Sequence, residues 1–125
     1  MKPNGVIILH DCNPTSEAYC IPALSIQEAA EKAYKLGIGP FTGWCGDVWK
    51  AIVYLRSTRK DLDIHVLDCD WGLGIISKST GVSEVLDISI DQISKMTYSD
   101  LDNQREFLLN LKEPSYFYQF LDQNL

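Results

Sequence analysis

Three things are scarce or missing in this 125-residue chain, and each removes a class of function. No window approaches the roughly 18 consecutive apolar residues of a membrane span, and Met1-Lys2-Pro3 runs straight into a turn where a leader peptide would begin. Positive charge is short: 11 Lys and Arg stand against 17 Asp and Glu, for a net charge of −6 and a pI near 4.7. That balance argues against nucleic acid or an anionic membrane as the main partner. The one basic cluster, Arg56 to Lys60, is short and reads as the solvated end of a helix. Paired cysteines are also absent. Cys12, Cys20, Cys45 and Cys69 are irregularly spaced without a CxxC, and each lies in or beside an apolar segment. They are expected as reduced, partly buried thiols of a cytoplasmic protein. A zinc site from His10, Cys12, Cys20 and Cys45 is chemically conceivable, but the spacing matches no zinc module.

What remains is an ordinary globular composition, 46% apolar and 22% charged, in one domain long enough for a core. The stretch that organises it is Asn4-Gly5-Val6-Ile7-Ile8-Leu9-His10-Asp11-Cys12-Asn13-Pro14. Four consecutive aliphatics after a turn dipeptide read as a strand over residues 5–10, buried on both faces in the manner of a parallel sheet. Ligands of open α/β sheets bind beyond the carboxyl ends of strands, where His10 and Asp11 fall.

Downstream, Pro14 breaks the strand and residues 14–24 read as a loop crossing its end. Ser25 and Glu28 form a capping box for a helix that Gly37 closes, with Ile26, Tyr34 and Leu36 among its apolar positions. Residues 37–46 hold four glycines, a proline and two large aromatics, the composition of a loop with unusual backbone angles. Asp47 opens a second helix, with Val48, Ala51, Ile52 and Leu55 on one face. Ile64–Cys69 and Gly74–Lys78, joined by Asp70-Trp71-Gly72-Leu73, read as an antiparallel hairpin. From Ser83 the chain turns helical: Ser89–Met96, then Asp100–Leu111 with Phe107, Leu108 and Leu111 as its stripe, then an aromatic helix after Pro114. A helical crossover followed by an antiparallel last strand makes a mixed α/β sheet.

Three segments carry a resemblance. Lys2-Pro3-Asn4-Gly5-Val6-Ile7-Ile8-Leu9-His10-Asp11 matches a Pro-Gly-strand-Asp pattern, followed by Gly46-Asp47-Val48-Trp49-Lys50-Ala51-Ile52 and by Val66-Leu67-Asp68-Cys69-Asp70-Trp71-Gly72-Leu73-Gly74-Ile75-Ile76. Together they resemble the C-terminal half of a class I S-adenosylmethionine-dependent methyltransferase, in a bacterial subgroup associated with surface-polysaccharide loci. The likeness runs from residue 1 to about 111. It implies a partial Rossmann-like sheet of strands five to seven, the seventh inserted antiparallel between the fifth and sixth. Flanking helices and a helical C-terminal tail complete a single domain, 1–82 holding the sheet and crossover helices and 83–125 the tail. The activity implied is O-methylation of a small molecule or sugar. In such enzymes S-adenosylmethionine sits on a glycine-rich loop after the first strand, an acidic residue ending the second and the turn after the fourth. Those segments are not among these residues, so the isolated chain is expected neither to bind the cofactor nor to methylate.

The resemblance turns the strand end toward the substrate. His10 becomes a general base for a hydroxyl, since imidazole titrates in the range suited to proton abstraction near neutral pH. Asp11 stands where related metal-dependent enzymes hold a divalent cation, although Cys12 follows it and Asn13 comes one residue late. A purely structural role, with Asp11 accepting N–H bonds from the loop at 13–16 and His10 as a hydrogen-bonded strand end, is the alternative. Asn13, Trp44, Asp47 and Trp71 complete a candidate substrate set. Trp44 can stack on a sugar or pack in its loop, Asp47 can bind a hydroxyl or cap its helix, and Trp71 can act as a lid beside Asp68 and Asp70. The contrasting expectation is a non-catalytic half-fold that associates. A bare apolar edge at strand 5–10, or the tail Tyr116-Phe117-Tyr118-Gln119-Phe120, would then form a homodimer interface.

Overall fold

The computed structural model describes residues 4–79 and 85–124. Lys2 and Pro3 of the expected first turn, and the expected boundary at 82–83, lie outside the described residues. Among the described residues the chain is mixed α/β: a four-stranded open sheet with six α-helices and one 3₁₀ turn. The order is β1 (Val6–Leu9), the 3₁₀ turn (Glu17–Cys20), α1 (Ile26–Leu36), α2 (Val48–Thr58), β2 (Leu62–Leu67), β3 (Leu73–Lys78), α3 (Ile90–Ser94), α4 (Tyr98–Asn103), α5 (Arg105–Leu109), β4 (Leu111–Lys112) and α6 (Tyr116–Asn124). No helix among these is long and apolar enough to cross a membrane.

In space the strands run β1-β3-β2-β4. β3 is antiparallel to both β1 and β2, so those two point the same way and their carboxyl ends share one rim. The expected β2–β3 hairpin is present in full register from Leu62–Lys78 to Leu67–Leu73. β4 adds a short parallel pairing to β2, Val66 opposite Leu111 and Leu67 opposite Lys112. The tail expected to be wholly helical thus contributes a strand. Asn110 makes this possible: it adopts a left-handed conformation (φ 49°), ends α5, and donates its side-chain amide to the Ile64 carbonyl at 2.9 Å.

Register sorts the side chains onto two faces. Ile7, Ile76 and Ile64 share one face, and Ile8, Ile75 and His65 the other. The first packs on α2 and the α3–α5 group through Trp49, Ile52, Val53, Leu101 and Leu108. The second is covered by α6, where Phe120, Tyr116 and Phe117 lie over Leu67 and Ile75. α1 stands apart, burying only Ala29 and Ala33 against Ile21, Phe41 and Trp44.

Several expectations are corrected by these contacts. β1 is not buried on both faces: Val6, Ile7 and Ile8 are 40%, 45% and 58% exposed, because β3 is its one strand neighbour among the described residues. α2 buries Trp49, Ile52 and Val53, with Val48 and Leu55 partly buried against the same core, and leaves Ala51 exposed, so the inward face is broader than the expected stripe and excludes its alanine. On α1, Ile26, Tyr34 and Leu36 face solvent and the small alanines face in. The expected helix over 100–111 breaks at Gln104 (φ −135°), and its Phe107 is 59% exposed.

Candidate functional site

β1 ends because the chain turns. Asp11 takes a left-handed conformation (φ 64°), which Asp tolerates better than most residues. The strand's continuation then bonds to the hairpin turn: Cys12 N–H donates to the Gly72 carbonyl at 3.0 Å and Asn13 N–H to the Trp71 carbonyl at 2.7 Å. Gly72 (φ 91°) permits this approach, since a Cβ there would collide with the Asn13 backbone. Asp70 and Trp71 precede it with φ of 48° and 66°. Two consecutive non-glycine residues in that region store backbone strain, which persists where the surroundings enforce it.

Asn13 belongs to the framework. It is 3% exposed. Its amide nitrogen donates to Asp68 Oδ1 at 3.2 Å, and its carbonyl oxygen accepts from Arg105 at 2.5 Å. Arg105 also donates to the Pro14 carbonyl at 2.6 Å, the Tyr98 hydroxyl at 3.2 Å and Asp102 at 2.9 Å. One guanidinium therefore ties the ends of β1 and β2 to α4 and α5. Both ends of the Asn13 amide are engaged inside the chain.

His10 and Asp11 stand in the open. Nδ1 of His10 lies 2.7 Å from Asp11 Oδ1, with side chains 57% and 35% exposed. A carboxylate on Nδ1 fixes the ring and leaves Nε2 outward as the basic atom, the arrangement of an oriented general base. Asp11 also lines an open cleft of about 410 Å³ together with Trp44, Asp47 and Pro22. Three of the six sequence-nominated residues thus meet in one concavity. Trp44 is held by a 2.9 Å bond from its indole N–H to the Ile21 carbonyl. Asp47 is exposed and makes no side-chain bond to its helix, although it occupies the N-cap position; the expected capping role is not realised.

Trp71 is not among the residues lining that cleft. Its ring meets Tyr19 edge-on at 4.7 Å and rests against Gly43, where a Cβ would sit 3.0 Å from the indole. Tyr19 in turn bonds Thr42 at 2.8 Å. Trp71 therefore clamps the two loops that form the rim, while remaining 39% exposed.

The cysteines are free, as expected. Burial pushes the Cys12 and Cys20 thiols up to about 11 and that of Cys45 to about 12, so they are poor nucleophiles and ligands at neutral pH. Among the described residues no group of three or more His, Cys, Asp or Glu is arranged to hold a metal ion, including the conceivable set at His10, Cys12, Cys20 and Cys45. The residues that sequence reasoning missed are Arg105 and Tyr19. Arg105 acts across 92 positions, and nothing in its neighbours Gln104 and Glu106 signals that reach. No protein-family model, curated protein or solved structure matches the chain.

Proposed function

We propose that this chain is the acceptor-side portion of a class I S-adenosylmethionine-dependent methyltransferase fold, acting on a hydroxyl of a small molecule or sugar. The observation that carries the reading is the strand order. An antiparallel β3 between two like-directed strands is the arrangement that the resemblance implies for strands five, seven and six. It gathers His10, Asp11, Asp68 and Trp71 at one rim, beside the cleft of Trp44 and Asp47.

In this reading His10 Nε2 takes the proton of the acceptor hydroxyl, Asp11 orients the imidazole, and Trp44 and Asp47 offer a ring face and a hydroxyl acceptor. The methyl donor does not fit within these residues. The glycines of the Gly72-Leu73-Gly74 turn are filled by the chain itself: a Cβ on Gly74 would lie 2.9 Å from Cys12 Sγ and 3.0 Å from Ile52. The donor is therefore assigned to a cofactor-binding half that pairs with β1.

The test is the reading frame upstream of Met1. An in-frame strand, glycine-rich loop and helix there supports the reading, and the joined protein should transfer labelled methyl groups to hydroxyl acceptors. His10→Ala in it should lower kcat about 10²–10⁴-fold. Micromolar S-adenosylmethionine binding by the 125-residue chain, read by calorimetry, sinks the half-fold assignment.

A second reading rests on the exposure of Val6, Ile7 and Ile8. An apolar edge strand is a template for another chain, and in this reading two copies pair through β1. The tail is the weaker interface, since Phe120 is buried and Phe117 packs on the sheet, leaving Tyr118 as its exposed aromatic. Light scattering during size exclusion decides: a monomer at every concentration removes the dimer.

A further inference from the structure

A second cavity, of about 290 Å³, lies under α6 toward the amino end of β2, away from the His10–Asp11 rim. Its floor is the sheet face that carries Asp63, His65 and Ser77. Its roof is α6, whose Tyr116 and Phe120 rings meet the His65 imidazole edge-on at 4.9 Å and 5.4 Å. His65 and Ser77 are 5% and 4% exposed, and among the described residues neither His65 Nε2 nor Ser77 Oγ has a hydrogen-bond partner. A buried polar atom without a partner is a standing penalty on a fold. These two belong to residues that line one cavity and are themselves covered from solvent, which points to a molecule that satisfies both once it has displaced what covers them.

The positions define what that is. His65 faces Ile75 across the strand pair and Ser77 lies two residues further along β3. The two are diagonal neighbours about 7–8 Å apart along the backbone, a span that one molecule with two hydroxyl groups can bridge. The wall carries one cation and one anion, Arg56 and Asp63. Arg56 already donates to the carbonyls of Phe107 and Leu108, and Asp63 has a partner. The remaining polar lining is uncharged, the Tyr116 phenol and the Gln123 amide included. Burial keeps His65 neutral, its titration pushed down to about 4. The rings of Tyr116 and Phe120 supply apolar surface for C–H groups.

We propose that this cavity binds a small neutral polyol, of monosaccharide size or below, hydrogen-bonded to His65 Nε2 and Ser77 Oγ. The site shares no residue with the cleft at Asp11 and does not depend on methyl transfer.

The chain contains two histidines, which makes the test direct. Ring-nitrogen NMR of the intact protein reports the two sites separately, His65 in the cavity and His10 at the exposed strand end. Titration with D-glucose, myo-inositol and erythritol at millimolar concentrations should move the His65 resonance saturably with at least one of them, whether or not His10 responds to binding at the separate cleft. Ser77→Ala should weaken that binding about tenfold. It deletes an unpartnered hydroxyl, so the variant without ligand should unfold at the same temperature as the parent or higher. The proposal is overturned by no saturable movement of His65 with any of the three, by undiminished binding in Ser77→Ala, or by ordered water on both atoms that the polyols do not displace.

Discussion

β1 and β3 lie side by side and are built from the same kind of residue, yet they live in different solvents. Ile75 of β3 is 1% exposed, while Ile8, its register partner on the same face, is 58% exposed. The apolar run of β1 is the more uniform of the two. What separates them is the number of neighbours: β3 has a strand on each side and α6 above, whereas β1 has β3 alone among the described residues. Hydrophobic pattern states what a segment gains by burial, and topology decides whether the burial happens.

The sharpest way to break this comparison is to truncate both partners. Ile75→Ala should cost about 3–4 kcal/mol, the transfer term plus a cavity that α6 cannot close, and Ile8→Ala less than about 1. Urea denaturation at two protein concentrations reads both. Equal losses would mean that β1 is buried in solution, and a concentration-dependent loss in Ile8→Ala would locate the burial in a dimer.

A second contrast sets the folded chain against the unfolded one at His65. Burial, with Lys112 nearby and only partly opposed by Asp63, pushes the His65 imidazole down to about 4. In the unfolded chain it takes a proton near pH 6.5 or so. Between these values the unfolded state binds more protons than the folded one. The contribution is fully present above about pH 6.5 and is lost as pH falls toward 4, by up to about 3 kcal/mol. The difference in stability between wild type and His65→Leu, followed across that window, should show this slope; a flat difference would mean that His65 is not buried in solution.

The two chemistries at the strand end give a third contrast. Arg105→Met should destabilise by about 2–4 kcal/mol, because it orphans the buried Asn13 carbonyl oxygen and frees the Pro14 carbonyl. His10→Ala should change stability by less than about 0.5 kcal/mol, its side-chain partner among the described residues being a partly exposed carboxylate. If both variants unfold alike in thermal melts, the division between a structural Asn13–Arg105 hub and an available His10–Asp11 pair is wrong.

How much of this was legible depends on the range over which each feature is determined. The helix from Ser25 to Gly37 is written in its own caps, since Ser25 accepts from Glu28 N–H at 3.1 Å and Gly37 closes it at φ 67°. The hairpin is equally local. The site was half legible: Asp11, Trp44 and Asp47 do meet in one cleft, whereas Asn13 turns out to be spoken for by an arginine far along the chain. β4 could not be read at all, because a two-residue strand has no period and exists only through its pairing with β2. The exposure of β1 was hidden for the opposite reason, its pattern being strong and its neighbours absent from any local signal.

The smallest expected effect tests that lesson at the level of one side chain. Ser25 and Asp47 occupy the same position at the starts of α1 and α2, and both are residues that commonly cap. Ser25 accepts from the Glu28 N–H, and Glu28 reaches back to the Leu24 N–H at 3.1 Å, with Lys32 3.1 Å from its other oxygen. Asp47 makes no such bond, and the residue lines the cleft. Ser25→Ala should therefore cost about 1 kcal/mol, and Asp47→Ala no more than about 0.5, what is left being the interaction of a carboxylate with the amino end of α2. Melts in low and high salt separate the two contributions, because salt screens the second far more than the first. A loss of 1 kcal/mol or so in Asp47→Ala that survives high salt would return this carboxylate to its helix. The cleft would then keep Asp11 and Trp44 without a hydroxyl acceptor at Asp47.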